Sequence, residues 1–306
     1  MSGEDLSVIV PTRNHRNYIR ECLKPLILQR EAPAEIVVLD CESKDNTLEI
    51  VGENFPSVRV VKAPRETGLS NALNLGIRET GRSFLSIVFP EVKLDKGYFQ
   101  AVLAELEKPE NAKAGIATGK IYRMFGGHRV LDSAGLEFGG GRLLPGRRAE
   151  GERDQGRYDE AGLVFGAPRG AAVYRRRVLE DLAEGGEIFD ESLTGVLEDV
   201  DLAWRAHRKG WSALYVPGAT AFRDAKGEGR GTTYGDALRW EFGRRAVLLK
   251  NARTRSLFWS IPALVVSDAA AMVREPASCI PLLFSAALVA SRWMEIRRKR
   301  QAIQKT

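Results

Sequence analysis

Over the first ninety positions the apolar residues change period repeatedly. Residues 6–10 form an unbroken apolar run ended by Pro11, and residues 17–29 then repeat apolar positions at helical spacing through Tyr18, Cys22, Leu23 and Leu26. The exchange recurs: residues 35–39 predict a second strand ending at Asp40, a polar turn follows, and Leu48, Ile50 and Val51 mark a helix. Residues 58–62 predict a third strand, residues 70–80 a helix stopped by Gly81, and residues 83–89 a fourth strand. Strands and helices alternating in this way imply an α/β fold, a mostly parallel sheet with flanking helices, whose ligands bind at the carboxyl ends of the strands. Asp40 and Glu91 stand at two such ends.

Periodicity fades over residues 126–166, where Gly139, Gly140 and Gly141 signal hairpins and mobile loops bordering a site. Helical patterning returns at residues 175–182 and again at 197–209, the latter ended by Gly210. Past about residue 225 the composition shifts to Arg, Ala, Leu and Trp. A catalytic domain over residues 1–225 and a helical appendage over residues 226–306 are expected.

Charge sharpens that division. The net charge of +6 comes wholly from the last quarter: residues 1–222 hold 30 basic against 33 acidic side chains, residues 223–306 hold 16 against 7. A basic tail suits nucleic acid or an anionic membrane, and its apolar character favours the membrane over nucleic acid. Cys22, Cys41 and Cys279 are too scattered for a disulfide framework, and no secretory leader pattern opens the chain, so the catalytic part is expected in the cytoplasm.

Four segments, in order, carry a resemblance. Val8-Ile9-Val10-Pro11-Thr12-Arg13-Asn14 comes first, then Val37-Val38-Leu39-Asp40 with Ser43 in the turn after it, then residues 68–76 with Asn71 and Asn74. The fourth is Phe189-Asp190-Glu191 followed by Glu198-Asp199-Val200-Asp201-Leu202-Ala203-Trp204-Arg205 and Gly210-Trp211. Together they resemble glycosyltransferase family 2, with its GT-A type fold. Leu131-Asp132-Ser133-Ala134-Gly135 and Lys250-Asn251 are similar to its rhamnosyltransferase-like branch.

The resemblance implies a nucleoside-diphosphate sugar as donor and a lipid-linked or polysaccharide hydroxyl as acceptor. It places Pro11, Thr12 and Asn14 around the nucleotide, Asp40 and Ser43 at its base or ribose, and Asn71 beside it. Asp199 becomes the general base, with Glu198, Trp204 and Arg205 in the same motif at the substrate. Residues 166–177 become the floor of the sugar and acceptor site, where Arg175 heads a run of three arginines.

Chemistry alone supports part of this. A single positioned carboxylate can remove the acceptor proton and stabilise positive charge at the anomeric carbon. On a helix Asp199 and Asp201 point to different faces, while Asp201 and Arg205, four apart, can pair. An acidic cluster also suits a helix N-terminus for electrostatic reasons alone, and Asp40 suits a turn.

Two positions depart from the family's pattern. Glu91 stands where the family carries an aspartate ligand for Mg²⁺ or Mn²⁺, and Arg223 where it carries a histidine. Glutamate can still ligate a divalent metal, whereas arginine cannot. Arg223 is instead expected to meet the donor diphosphate. A nucleotidyltransferase and a non-catalytic sugar-nucleotide binder remain alternative readings.

In the tail, residues 257–273 and 277–291 are apolar but shorter than the roughly 20 residues of a spanning helix. Trp259 and Trp293 flank them, and Arg297, Arg298, Lys299 and Arg300 follow. Helices lying in the interface of an anionic leaflet are expected, making the protein peripheral to the membrane.

Overall fold

The computed structural model describes residues 5–65, 67–138, 143–193, 195–224, 233–274 and 279–304. In chain order its elements are β1 (Leu6–Thr12), α1 (Ile19–Ile27), β2 (Glu35–Asp40), α2 (Thr47–Asn54), β3 (Arg59–Lys62), α3 (Leu69–Arg78), β4 (Phe84–Val88), β5 (Val92–Leu94) and α4 (Tyr98–Glu107). There follow β6 (Ala114–Phe125), β7 (His128–Ser133), β8 (Leu136–Glu137), β9 (Gly146–Arg147), β10 (Gly162–Val164), β11 (Ala171–Arg175), α5 (Arg176–Leu182), α6 (Glu198–Arg208) and β12 (Ser212–Arg223). Four helices close the chain: α7 (Tyr234–Asn251), α8 (Thr254–Arg274), α9 (Cys279–Ser291) and α10 (Trp293–Gln304).

The continuous apolar runs become central strands. β1 and β4 are buried along their whole length because helices cover both faces of the sheet. α1 lays Ile19, Cys22, Leu23 and Leu26 on one of those faces, the stripe expected from its spacing. β3, β2, β1 and β4 are parallel neighbours, and β12 and β6 form a second parallel pair. Between the halves lies β11, antiparallel to both β4 and β6, so the sheet order is β10-β12-β6-β11-β4-β1-β2-β3. The mostly parallel α/β architecture is as expected.

Three of these strands are not visible in the apolar pattern. β12 contains Pro217 and Gly218, which interrupt a strand pattern; the structure absorbs them in an irregularity between Val216 and Thr220. β6 begins with small residues, and β11 lies directly against α5 with no turn to separate them. Between β6 and β11, β7 folds back on β6 and β8 pairs with β9, which matches the hairpins expected there. Gly139, Gly140 and Gly141 lie outside the described residues, as does the boundary between the two expected domains.

The C-terminal helices share a core with the rest of the chain. Phe242, Ala246, Val247 and Leu248 of α7 pack with Val200 of α6, Leu264 of α8 and Ile296 of α10. A buried ion network reinforces this contact. Lys250 donates to Asp190 and lies 2.8 Å from Asp201, Asn251 donates to Asp201 at 2.8 Å, and Lys299 of α10 donates to Asp190 at 2.6 Å. The basic cluster of α10 is therefore divided: Lys299 serves this network and Arg300 donates to the carbonyls of Leu249 and Ala252, so neither is a free surface charge.

The apolar side chains of α8 and α9 are treated differently. Phe258, Trp259, Val265, Val266, Leu283 and Phe284 are all exposed. Asp268, which interrupts the apolar stretch in the sequence, accepts from Arg244 and Arg245 of α7 and is thereby neutralised. Among the described residues no single helix is long and apolar enough to cross a membrane, and α9 and α10, which reach that length together, are bent by 69°.

Candidate active site

The carboxyl ends of β1 and β2 lie side by side, with Thr12 paired in register with Asp40. The loops that leave them are stitched into one lip. The carbonyl of Thr12 accepts from Cys41 N–H at 2.8 Å, Asn14 N–H donates to Ser43 Oγ at 3.0 Å, and Lys44 N–H donates to Asn14 Oδ1 at 2.7 Å. Asn14 adopts a left-handed φ of 60°, which asparagine tolerates better than most residues. Asp40, buried at the floor of this lip, accepts from Ser43 N–H at 3.2 Å. The structure thus brings together Pro11, Thr12, Asn14, Asp40 and Ser43.

His15 completes the lip, its Nδ1 3.2 Å from Thr12 Oγ1. Burial holds its imidazole below the usual range, with Glu91 opposing that effect and Arg169 adding to it. Glu91 and Arg169 are thus charges that act on the His15 imidazole.

Asp199 begins α6 at the same edge. Its Oδ2 accepts from the backbone N–H of Arg169 at 2.7 Å and its Oδ1 from Val200 N–H at 2.8 Å, leaving each oxygen a second lone pair. The turn into this helix is strained: Leu197, the residue before it, has φ 61° and ψ 18°, a left-handed conformation costly for a side chain branched beyond Cβ. Glu198 is buried next to Asp199, and burial pushes its carboxyl up to about 7, with Arg169 pulling the other way.

Arg169 lies at the centre of these groups. Its guanidinium stacks over Phe89, 4.3 Å from the ring centroid, and Nη1 donates to the carbonyl of Gly195 at 3.1 Å. Nothing in the hydrophobic pattern singles it out; the only cue is a cation between Pro168 and Gly170 at the entry to β11.

Comparison with known proteins decides the family. The model of glycosyl transferase family 2 matches residues 7–183, more than half of the chain. The chain belongs to glycosyl transferase family 2. It is therefore a glycosyltransferase that uses a nucleotide sugar, which sets aside the nucleotidyltransferase and non-catalytic readings. An N-acetylglucosaminyl-diphospho-decaprenol L-rhamnosyltransferase of Mycobacterium tuberculosis is 24% identical over 230 residues, covering 70% of this chain and 74% of the relative. Solved GT-A structures share the fold. GalNAc-T7 with UDP, GalNAc and Mn²⁺ superposes with a TM-score of 0.62 at 16% identity, over 80% of this chain and 47% of that one. The mannosyltransferase PcManGT of Pyrobaculum calidifontis, with GDP-Man and Mn²⁺, gives 0.53 at 17% identity over 98% and 86%.

Several residues of the glycosyltransferase lie elsewhere than expected. Arg175 is at the amino end of β4, not the carboxyl end, because β11 is reversed: it pairs with Phe84 and donates to the carbonyls of Leu106 and, at 2.9 Å, Ala114. Arg176 and Arg177 likewise cap the carbonyls of Arg82 and Ala112. Arg205 is buried and fully engaged, donating to Asp201 at 2.9 Å and to the carbonyls of Leu182 and Ile188. Trp204 packs edge-to-face against Phe138 and Phe165. Asn71 sits at the start of α3 and donates to Glu191 at 2.8 Å, fixing that helix to the segment before α6.

The expected contact between Arg223 and a phosphate is also corrected. Arg223 is 0% exposed and donates to Glu91 at 3.0 Å, to Asp132 at 3.0 Å and to the carbonyl of Arg169. Glu91 is consequently bound to a guanidinium. Among the described residues no group of three or more His, Cys, Asp or Glu side chains has the arrangement of a metal site. Glu91, standing where the family carries its metal-ligating acid, has its carboxylate taken by Arg223 and so does not fit the role of a Mg²⁺ or Mn²⁺ ligand.

Proposed function

We propose that the chain is an inverting transferase that moves a sugar, with dTDP-rhamnose or a UDP-sugar as donor, to a hydroxyl of a lipid-linked or polysaccharide acceptor of the cell envelope. The observation that carries this reading is the placement of Asp199, whose carboxylate is held by the backbone N–H of Arg169 at the entry to β11, at the same end of the sheet as the carboxyl ends of β4 and β1. The nucleoside lies in the lip against Asp40, the diphosphate crosses toward Arg169, and the anomeric carbon faces Asp199. The acceptor hydroxyl gives its proton to Asp199 as its oxygen bonds to the anomeric carbon. The bond from that carbon to the diphosphate breaks at the same time, and its electron pair leaves with the nucleoside diphosphate. One base and one displacement invert the configuration.

The likeness to the mycobacterial rhamnosyltransferase supports rhamnose and a lipid-linked acceptor. Exposed aromatic and aliphatic side chains on α8 and α9 support work on the cytoplasmic face of an anionic membrane, with residues 226–306 as the membrane-facing part. A thermal-shift screen of nucleoside-diphosphate sugars tests the donor, because a ligand of the native state raises stability by mass action. dTDP-rhamnose or a UDP-sugar should raise Tm and be consumed with a prenyl-diphosphate-linked saccharide. Absence of any shift with every sugar nucleotide would overturn the reading.

A further inference from the structure

A divalent-ion site needs carboxylates whose charge is not already compensated. At the end of β4 the acid in the family's metal position, Glu91, already has a cation. Glu91 and Asp132 share Arg223, and Asp132 is also 2.8 Å from Arg147 and 3.6 Å from Arg123. Arg223 and Asp132 are buried, and the chain is packed tightly around them: a Cβ added to Gly170 would lie 2.6 Å from Arg223 Nη2. Releasing Glu91 to ligate a metal would leave a buried guanidinium with one partner fewer, which is strongly unfavourable.

Positive charge is available one strand away. Arg169 is joined to the same corner, since its carbonyl accepts from Arg223, and its own Nε is buried with no hydrogen-bond partner among the described residues. It lies over Phe89, the residue after β4, and its backbone N–H holds Asp199. A diphosphate running from the lip at Asp40 to the sugar at Asp199 passes this guanidinium, whose planar fork matches two phosphate oxygens.

We infer that this transferase binds its donor diphosphate without a divalent cation: Arg169 takes the phosphate charge, and Arg223 holds Glu91 out of metal ligation. This rests on the nucleotide-sugar reading above. It also separates the chain from the two solved glycosyltransferases that carry Mn²⁺.

The test measures binding and metal directly. UDP, GDP and dTDP are titrated by calorimetry into the full chain, in EDTA and again in millimolar Mn²⁺, and free Mn²⁺ is followed by electron paramagnetic resonance. The nucleotide that binds should do so in EDTA, with affinity changed by less than about threefold on adding Mn²⁺, and the protein should take up no more Mn²⁺ than the nucleotide alone. Arg169→Ala should weaken binding by about tenfold to a hundredfold, the range of a lost charged hydrogen bond, and Arg169→Lys by less. Binding that appears only with Mn²⁺, or Mn²⁺ uptake by the wild type that Glu91→Gln abolishes, would overturn the inference. So would an Arg169→Ala protein that folds and binds nucleotide like the wild type. A chain that ignores all three nucleotides in both conditions fails as a nucleotide-sugar enzyme, a result distinct from the metal requirement.

Discussion

The backbone N–H of Arg169 and the carboxylate of Asp199 meet at 2.7 Å, joining the entry of β11 to the start of α6. The bond holds the carboxylate without using the Arg169 side chain, so the proposed base and the proposed phosphate-binding group can be varied separately. Asp199→Asn keeps an oxygen to accept that bond and loses the proton acceptor. Turnover should fall by about a hundredfold or more, with nucleotide affinity little changed. Steady-state kinetics beside calorimetry check both parts, and unchanged turnover would remove Asp199 from the role of base.

Lys250 is buried between two acids, Asp190 and Asp201. Burial alone would raise the Asp190 carboxyl, but the ammonium groups of Lys250 and Lys299 outweigh it and hold that carboxyl far below the usual range. Lys250→Met leaves Asp190 and Asp201 short of a partner, and breaking a buried pair from one side costs about 3–5 kcal/mol. Urea unfolding at neutral pH should show a loss of that order. A loss under about 1 kcal/mol would mean that the network contributes little to holding α7 on the catalytic part.

Glu198 gives a pH dependence of opposite sign. Its carboxyl moves from an ordinary 4.5 to about 7 on folding, because burial disfavours the charge. Between those values the folded chain holds a proton that the unfolded chain lacks, so this group's stability is full below the lower value and is lost as pH rises through the upper one. Glu198→Gln should be insensitive over that window. Stability of the variant relative to the wild type should therefore improve from pH 5 to pH 8, and a constant difference would show that Glu198 is ionised in the fold.

The membrane reading is best tested on side chains and not by truncation. Cutting the chain near residue 255 removes α10, and with it Lys299 and Ile296 from the shared core. Trp259→Ser with Phe284→Ser removes only exposed apolar groups. Flotation with phosphatidylglycerol vesicles at low salt should carry the wild type up and lose the double variant, since burying each side chain contributes about 1.5–3 kcal/mol. Equal flotation would show that α8 and α9 do not enter the interface.

The sequence was most readable where burial on both faces produces uninterrupted apolar runs, as in β1, β2 and β4. The lip at Asp40 was readable for a related reason: the strand ends and turn residues that form it are close in sequence. Arg175 was misplaced because one reversed strand moves its end to the opposite side of the sheet, and no local pattern records strand direction. Arg169 falls in the segment 166–177 expected at the floor of the site, but nothing singled it out there, because its importance comes from three distant elements meeting at it. Glu91 and Arg223 were recognised as departures, but their direct pairing joins residues 132 positions apart, and only the folded chain shows it.

Because β11 runs against its neighbours, the excursion that leaves the carboxyl end of β6 and enters β11 begins and ends on the cleft side. Insertions or deletions there need not disturb any strand of the donor half. A change of length in this segment alters the rim of the cleft while the nucleotide lip stays as it is.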